Sequence, residues 1–329
     1  MRPLFADPKT DLVFKRIFGD EAHKDLLIPL LDACLQLDPP HRIVDLTFLP
    51  PEQAPRLPGL KNSIVDVKCL DAQGTRYVVE MQVLQVEGFE KRIVYNLCKA
   101  FTAQLGAGDD YPTLNDVVAV TICDFTLWPN LGPPAIPMLS RWSMREENTG
   151  ARRLQQMRYA FLELPKYRAG HNPQSTIDRW AYFFRETAHL KDVPPPLAQA
   201  PFSSALDVAR TAGFTPEEWE AYDRAKIAEQ DARGALSFAE QAGRDQGRAE
   251  GRAEGKAEGR AEGKAEGKAE GRAEGQAEGI RAGLLVALDS LCEVLSLEIP
   301  PPRRKAIAQL DEAALRALLE EVKRRRRLD

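Results

Sequence analysis

Several patterns that define common classes of protein are missing from this sequence. The five cysteines are odd in number, widely separated and never spaced as C-x-x-C, which argues against a disulfide framework or a zinc site and for reduced thiols. The four histidines show no metal-binding spacing, and no P-loop or nucleophile elbow occurs. No window approaches the roughly 18 consecutive apolar residues of a membrane span, and the N-terminal residues lack the apolar segment of a signal peptide. We therefore expect a cytoplasmic protein without a membrane partner.

The composition is that of an ordinary globular protein. Hydrophobic residues make up 43% and charged residues 29% of the 329 residues, and the formal net charge is -4. This length allows one sizeable domain with an additional part, or two modest domains. Because net charge averages over domains, a weakly acidic total does not exclude a basic cleft for nucleic acid. The four tryptophans are scattered, which predicts core or loop anchors rather than base-stacking platforms.

Periodicity in the first half predicts a mixed α/β fold. Residues 7–37 carry apolar residues three and four apart, with Asp7 as a candidate N-cap and Gly19 as a break between two helical segments. Strands are predicted at 42–49, on both sides of a turn at 71–74, and at 116–125, with a helix at 89–105. Residues 50–59 are predicted to form a Pro-rich exposed loop. The order helix, three strands, helix, strand gives a mixed sheet with helices on its faces, to which 158–164 add a strand and 177–190 a helix.

A glycine repeat occupies part of the second half. From Gly243 to Gly283 a glycine falls at every fourth position, mostly within units of the form G-[RK]-A-E. Each interior glycine costs a helix about 1 kcal/mol relative to alanine. A period of four also brings like charges together at i and i+4, such as Glu254 and Glu258. Two interpretations stay open: a solvated spacer with fluctuating helicity, which we prefer, and a specific coiled interface.

Composition divides the chain into a globular part at 1–230, a repeat linker or marginal helix at 231–283, and a small helical module at 284–329. The last predicted helix has Asp311 as a candidate N-cap. Its basic end suits the negative pole of a helix dipole. Such a small module needs a partner surface, so a homo-oligomer through the C-terminal segments is expected. The apolar stripe of this helix consists of Leu315, Leu318, Leu319 and Val322.

The stretch IVDVKCLDAQGTRYVVEMQ, residues 64–82, places an acid in each of two predicted strands. A three-residue loop with Gly74 in a left-handed conformation sets Asp66 opposite Glu80 and Ile64 opposite Gln82. Alternation then predicts which side chains share each face of the hairpin. One face carries Asp66, Lys68, Glu80 and Gln82, and the other Val65, Val67, Cys69, Tyr77, Val79 and Met81.

Two carboxylates directly across a ladder destabilise it, because their Cβ atoms lie only about 4.5 to 5.5 Å apart. A divalent cation such as Mg²⁺ would offset this repulsion, since it takes oxygen ligands and few protein carboxylates. Two alternatives stay open. Lys68 neutralises the pair, or a register slip of one residue separates the acids onto opposite faces.

Three segments resemble the Rpn family of recombination-promoting nucleases, often described as transposases. They are TDLVFKRIFGDE at 10–21, SIVDVKCLDAQGTRYVVEMQ at 63–82 and KRIVYNLCKAFTAQLGAGDDYPTLNDVVAVTICDF at 91–125. That family belongs to the PD-(D/E)XK nuclease superfamily, so the resemblance implies a restriction-endonuclease-like αβββαβ core, followed here by the glycine repeat and a small helical tail. The motif aspartate corresponds to Asp66, and the E-x-K element to Glu80, Met81 and Gln82. Gln82 departs from the motif lysine and lacks its positive charge.

The resemblance implies a Mg²⁺-dependent DNA endonuclease, with Mn²⁺ as the alternative ion, acting in recombination or mobile elements. The implied metal ligands are Asp66, Glu80 and a backbone carbonyl near Met81, and Gln82 is implied to position the attacking water. Basic residues are candidate contacts to the DNA backbone, which carries no sequence information of its own. These are Lys68, Lys91 and Arg92.

Weaker candidates also match family positions. Asp11 and Lys15 are implied neighbours of the site, although a structural i, i+4 ion pair explains them as well. Tyr95 and Gln104 are candidates to line the cleft, and amphipathic packing explains Tyr95 nearly as well. A second class of function also stays open, in which the chain is a catalytically inactive member of the fold and acts as an assembly module through its repeat and tail.

Overall fold

The computed structural model describes residues 2–53, 63–130 and 132–328. The chain forms two compact units, Met1–Leu236 and Ser237–Asp329. Within the described residues the α-helices are α1 (Asp11–Phe18), α2 (Lys24–Leu35), α3 (Phe89–Thr102), α4 (Thr176–Glu186), α5 (Phe202–Val208), α6 (Pro216–Val294), α7 (Pro301–Ile307) and α8 (Glu312–Arg325). The strands are β1 (Leu46–Phe48), β2 (Glu52–Gln53), β3 (Ser63–Ile64), β4 (Val67–Asp71), β5 (Arg76–Gln82), β6 (Val117–Cys123), β7 (Leu139–Ser143) and β8 (Met157–Glu163).

A six-stranded mixed sheet lies at the centre of the first unit, with the order β1-β4-β5-β6-β8-β7. β5, β6 and β8 are parallel neighbours, whereas β1, β4 and β7 pair antiparallel. β2 and β3 form a separate two-stranded sheet. The predicted order of helix, three strands, helix and strand is confirmed for the large sheet, and the strand predicted at 158–164 is β8. Most of the predicted Pro-rich loop lies outside the described residues.

The two faces of the sheet carry separate hydrophobic clusters. α3 covers one face, where Phe89, Ile93 and Leu97 pack near Val78. The helix predicted at 89–105 thus packs against the sheet through these apolar side chains, although it ends at Thr102. Helices α1, α2, α4 and α5 cover the other face with a larger cluster, in which the ring centroids of Phe18 and Trp180 lie 5.7 Å apart.

Helix α1 begins later than predicted. Its N-cap is Thr10, and the predicted cap Asp7 has other partners. Asp7 Oδ1 accepts a hydrogen bond from the Lys9 backbone N–H at 3.0 Å, and Oδ2 accepts one from Lys226 Nζ at 3.1 Å. The predicted break at Gly19 is confirmed, because Gly19 is the C-cap of α1.

The N-terminal residues pack beside the start of α6. The Ala6 N–H donates to the Ala209 carbonyl at 2.9 Å, and the Asp7 N–H donates to the Tyr222 hydroxyl at 3.0 Å. Trp219 and Tyr222, both on the first turns of α6, belong to the larger hydrophobic cluster. The beginning of this helix is therefore part of the first unit.

Helix α6 has 79 residues and includes the glycine repeat. Every residue from 243 to 280 is exposed, and a Cβ added at any repeat glycine would meet open space. Nothing in the described residues packs against the repeat, so its helical state depends on local interactions alone. Both interpretations of the repeat stay open.

The end of α6, α7 and α8 share a small hydrophobic core in the second unit. Leu288, Cys292, Ile307, Leu315 and Val322 are buried there. The predicted cap is confirmed, because Asp311 accepts a hydrogen bond from the Ala314 N–H at 2.8 Å. Across the described ranges, no helix combines the length and the apolar character needed to cross a membrane.

Candidate functional site

The β4–β5 hairpin follows the predicted register over most of its length. Lys68 lies opposite Val78, and the Asp71 N–H donates to the Thr75 carbonyl at 3.0 Å. Gly74 has a φ of +86°, the left-handed conformation that the three-residue loop predicts. The alternative of a register slip is therefore excluded.

The ladder ends one residue short of the predicted acid pair. β4 starts at Val67, opposite Val79, and the chain bends at Asp66. The Asp66 carboxylate then takes the place of a strand partner, because its Oδ2 accepts a hydrogen bond from the Met81 N–H at 2.7 Å. A side chain thus satisfies a strand donor that β4 no longer reaches.

The bend makes two details of the predicted hairpin wrong. Ile64 pairs with Glu52 of β2 and not with Gln82. Val65 belongs to the cluster beneath α3, whereas strict alternation predicts the opposite face. Alternation holds only along an unbroken strand, and a bend resets which face the next residue occupies.

Glu80 faces α3 and is 4% exposed. Its Oε1 accepts a hydrogen bond from Asn96 Nδ2 at 2.8 Å, and its Oε2 lies 3.9 Å from Arg92 Nη2. Arg92 and Asn96 are one turn apart on α3, so both reach the same carboxylate. Burial raises the pKa of Glu80, while the Asn96 hydrogen bond and the Arg92 charge oppose that rise.

The two acids lie close enough to influence each other. Burial raises the pKa of Asp66 to about 7, against the hydrogen bond from Met81, and the negative charge of Glu80 adds to the rise. Asp11 raises the pKa of Asp66 further, and Lys15 lowers it. Lost solvation, with a smaller contribution from the neighbouring acids, thus disfavours the charged form of Asp66, and a bound cation would favour it.

The oxygen atoms at this point suit a divalent cation. The N–H and C=O of one strand residue point to the same neighbour, so the Met81 carbonyl points to the side where Asp66 lies. Two carboxylates and one carbonyl match the ligands that Mg²⁺ or Mn²⁺ prefer. The described residues contain no group of three or more His, Cys, Asp or Glu side chains around one ion position. The Met81 carbonyl is thus the backbone oxygen available to hold an ion beside these two carboxylates.

Lys68 is buried on the face of the sheet that α3 covers. Burial lowers its pKa, and the positive charges of Arg76 and Lys99 lower it further. Among the described residues no ion pair joins Lys68 to Asp66 or Glu80. The alternative in which Lys68 neutralises the acid pair is therefore unsupported.

The other predicted residues of the hairpin and α3 are placed as follows. Gln82 ends β5, two residues after Glu80, and its backbone carbonyl accepts a hydrogen bond from the Asp124 N–H at 2.8 Å. Lys91 is exposed on α3. Arg92 is directed toward Glu80 instead of outward.

Helix α1 reaches the site through Asp11 and Lys15. The predicted i, i+4 ion pair is present, with Lys15 Nζ 2.7 Å from Asp11 Oδ1. Both side chains also act on the pKa of Asp66, so the structural interpretation and the location beside the site are compatible.

Tyr95 and Gln104 have different surroundings. Tyr95 is 41% exposed, and Lys99 Nζ lies 5.5 Å from its ring centroid. Gln104 is engaged elsewhere, because its side chain donates to the Asn115 carbonyl at 2.9 Å and accepts from the Asn115 N–H at 3.0 Å. Asn115 lies beside Gly74, at the opposite end of β5 from Glu80. Gln104 therefore fastens a loop and is not brought to the acid pair.

Sequence reasoning missed Asn96, which holds Glu80. Asn96 is buried, and its Oδ1 has no hydrogen-bond partner in the described part of the chain. The available signal was an amide three residues after Ile93, at a position of α3 that helical periodicity buries. A buried polar group in such a place needs a partner.

A family model described as PD-(D/E)XK nuclease family transposase matches residues 8–239, which is more than half of the chain. This range contains the mixed sheet, α3 and every site residue named above. Searches of curated proteins and of solved structures gave no match. The mixed α/β sheet and its helices are consistent with a PD-(D/E)XK fold. On this match, the chain belongs to the PD-(D/E)XK nuclease family transposases.

Proposed function

We propose that this protein is a divalent-cation-dependent endonuclease that hydrolyses phosphodiester bonds of DNA at Asp66 and Glu80. The observation that carries the proposal is the pair of neighbouring carboxyls, buried Glu80 and half-buried Asp66, beside the Met81 backbone just before β4 begins. Membership of a nuclease family supports DNA as the substrate.

The residues at this point have separate roles in the proposal. Asp66, Glu80 and the Met81 carbonyl would hold Mg²⁺, or Mn²⁺ as the alternative. When bound, the cation supplies positive charge and lowers the pKa of its water. Asn96 holds the Glu80 carboxylate in place before substrate arrives. Gln82 carries an amide that both donates and accepts hydrogen bonds, which suits it to orient a water.

Lys91, exposed on α3, supplies a contact to the DNA backbone in this proposal. Lys68 shares the covered face of the sheet with Glu80 and is buried beneath α3, so its predicted contact with DNA requires movement of that helix. Contacts of this kind give affinity that depends on salt and not on base sequence. Arg92, the third predicted DNA contact, instead helps to hold Glu80 in this proposal, because its guanidinium lies beside that carboxylate.

One observation favours a second candidate function. Gln82 is neutral where the superfamily motif has lysine, so the charge that stabilises a transition state is absent from that position. A catalytically inactive protein would not need this charge. It would act instead as an assembly module through the repeat at 231–283 and the helical module at 284–329.

The test is nicking of supercoiled plasmid by the purified full chain with Mg²⁺, with Mn²⁺ and with EDTA. Wild type should nick only with a cation, and Asp66→Asn and Glu80→Gln should each lose at least about 100-fold in rate, the scale of one lost electrostatic contribution. Asp45→Asn is the matched control, because Asp45 is an exposed acid of the same unit paired with Lys24 at 2.6 Å. If folded wild type leaves plasmid intact with both cations, or both site variants cut like wild type, the assembly function replaces the nuclease.

A further inference from the structure

A cavity of about 560 Å³ lies along the edge strand β7 and the first residues of β8. We call it the β7 groove. None of the described residues that line it is an Asp or a Glu, whereas Asp38 lines both of two neighbouring cavities of similar size, of which one shares Arg158 and the other Arg141 with the β7 groove. The lining includes four arginines and two aromatic residues: Arg141, Arg145, Arg152, Arg158, Trp142 and Tyr159.

The positive charge of the β7 groove is poorly compensated. Glu146, in the loop between β7 and β8, uses its carboxylate to accept hydrogen bonds from the Thr149 hydroxyl and N–H, both at 2.6 Å. These bonds lower the pKa of Glu146 to about 2. The Glu146 carboxylate therefore binds groups of its own turn and not a groove arginine. In the part of the chain that the structure describes, the only ion pair of a groove arginine joins Arg158 to Asp116 at 3.5 Å. Both partners are more than a third exposed, so this pair is weak.

On the aromatic side of the groove, Trp142 packs against another ring and also exposes part of its own ring to solvent. Trp142 lies opposite Tyr159 in the β7–β8 ladder and is 41% exposed. Its ring centroid is 4.8 Å from that of Trp128, which in turn lies 4.9 Å from that of Phe161. A ring held in this way keeps one surface free for a planar ligand at little cost in side-chain entropy.

We infer that the β7 groove binds a single-stranded segment of DNA, with phosphates on Arg145 and Arg152 and a base stacked on Trp142. Arginines along a groove together with an exposed aromatic ring are the means by which proteins bind unpaired strands. A duplex hides its base surfaces, so stacking on Trp142 requires an unpaired nucleotide. The inference deepens the proposed function and rests on its DNA substrate.

The sheet relates the groove to the acid pair. β5 and β7 are separated by β6 and β8, which is three strand spacings, or roughly 14 Å. Tyr159 lies at the level of Val78, two residues from Glu80 along the strand direction. A few nucleotides span this distance, so the substrate class is DNA with an unpaired segment next to the bond that is cut.

The test is fluorescence anisotropy with the full chain in EDTA, using a labelled single strand and a blunt duplex, each of about 20 nucleotides, a length that covers one such site. We expect the double variant Arg145→Ala/Arg152→Ala to bind the single strand about tenfold more weakly, or worse. The slope of log K against log salt concentration should become less negative by about 1.4, because each lost phosphate contact to a single strand changes it by about 0.7. Trp142→Leu should weaken it at least about fivefold, as one lost base stack does. Arg153→Ala is the matched control, because Arg153 adjoins Arg152 in sequence and does not line the groove.

An unchanged single-strand affinity in either groove variant overturns the inference, as does an equal loss in Arg153→Ala or tighter binding of wild type to the duplex. Circular dichroism of each variant confirms that it is folded. Failure of the nuclease proposal would be a separate result. Cleavage is measured on plasmid DNA in the presence of a cation, whereas binding to the groove is measured on short oligonucleotides in EDTA.

Discussion

The Asp66 carboxylate is held in place by a hydrogen bond, but burial removes much of the water that would stabilise its charge. The donor is the Met81 N–H at 2.7 Å, and burial raises the pKa of Asp66 to about 7. In the unfolded chain the same group has a pKa of about 3.9. The folded protein therefore binds this proton more tightly than the unfolded chain. The contribution of Asp66 to stability is full below about pH 4 and is lost as the pH rises toward 7.

Asp66→Asn should remove this pH dependence. In EDTA, the free energy of unfolding of wild type should fall relative to that of Asp66→Asn between about pH 4 and pH 7, by at most roughly 4 kcal/mol at 1.36 kcal/mol per pKa unit. Urea unfolding across this pH range measures the difference. Mg²⁺ or Mn²⁺ at about pH 7.5 should raise the Tm of wild type and not that of the variant. Asp45→Asn should behave as wild type, and a difference independent of pH would show that Asp66 ionises normally.

The tryptophans show where residue-level prediction stops. All four were predicted to be core or loop anchors, and Trp180 and Trp219 are indeed buried. Trp142 is not, because β7 lies at the edge of the sheet and nothing in the described residues covers its outer side. The exposure of a ring depends on the neighbours that tertiary structure supplies, and scattered spacing along the chain does not contain that information.

Among the elements, the β4–β5 hairpin was predictable and the bend before it was not. The turn, Gly74 and the alternation of side chains are all local, and together they give the observed register of Lys68 against Val78. The bend at Asp66 depends on the pairing of β3 with β2 and on a bond from a side chain to the Met81 backbone. Strand β7 was not predicted either. Its strand conformation depends on pairing with β8, which is a tertiary contact and not a local pattern.

The same substitution should have opposite effects in two elements. Gly74→Ala should destabilise the first unit by about 1–3 kcal/mol, because its φ is +86° and a Cβ would meet the Asn115 side chain at 2.8 Å. Gly255→Ala should stabilise the local helix by about 1 kcal/mol, because a Cβ there meets open space.

Urea unfolding measures the effect of Gly74→Ala, and amide hydrogen exchange around residue 255 measures the effect of Gly255→Ala. A neutral Gly74→Ala would contradict the left-handed turn. Unchanged exchange protection after Gly255→Ala would show that the repeat gains nothing from helix propensity, as a non-helical spacer would.

On the scale of the whole molecule, the ion pairs that join α6 to the rest of the first unit, among the residues that the structure describes, end shortly before the glycine repeat. Lys226 Nζ lies 3.1 Å from Asp7 Oδ2, and Arg233 Nη2 lies 2.8 Å from Asp124 Oδ2. Lys9 Nζ reaches the same Asp124 oxygen at 3.1 Å. The first unit ends at Leu236, just beyond the last of these ion pairs.

Limited trypsin digestion should cut first inside the repeat, because its lysines and arginines are all exposed and no described residue packs against that part of the helix. A resistant fragment containing the family-matched region should survive. A variant ending after Leu236 should unfold in urea at the midpoint of the first transition of the full chain. Loss of cooperative unfolding in that variant, or early cleavage within residues 63–130, would show that the first unit depends on the rest of the chain.

Lys9 and Arg233 both contact Asp124 Oδ2, so the chain near the start of the first unit lies beside the chain shortly before that unit ends at Leu236. Neighbouring ends make a unit portable, because it can be inserted into a surface loop of an unrelated protein without stretching either. For the same reason a short linker could join these ends and a new opening could be cut at the exposed 146–150 turn, a circular permutation that leaves the order of strands in space untouched.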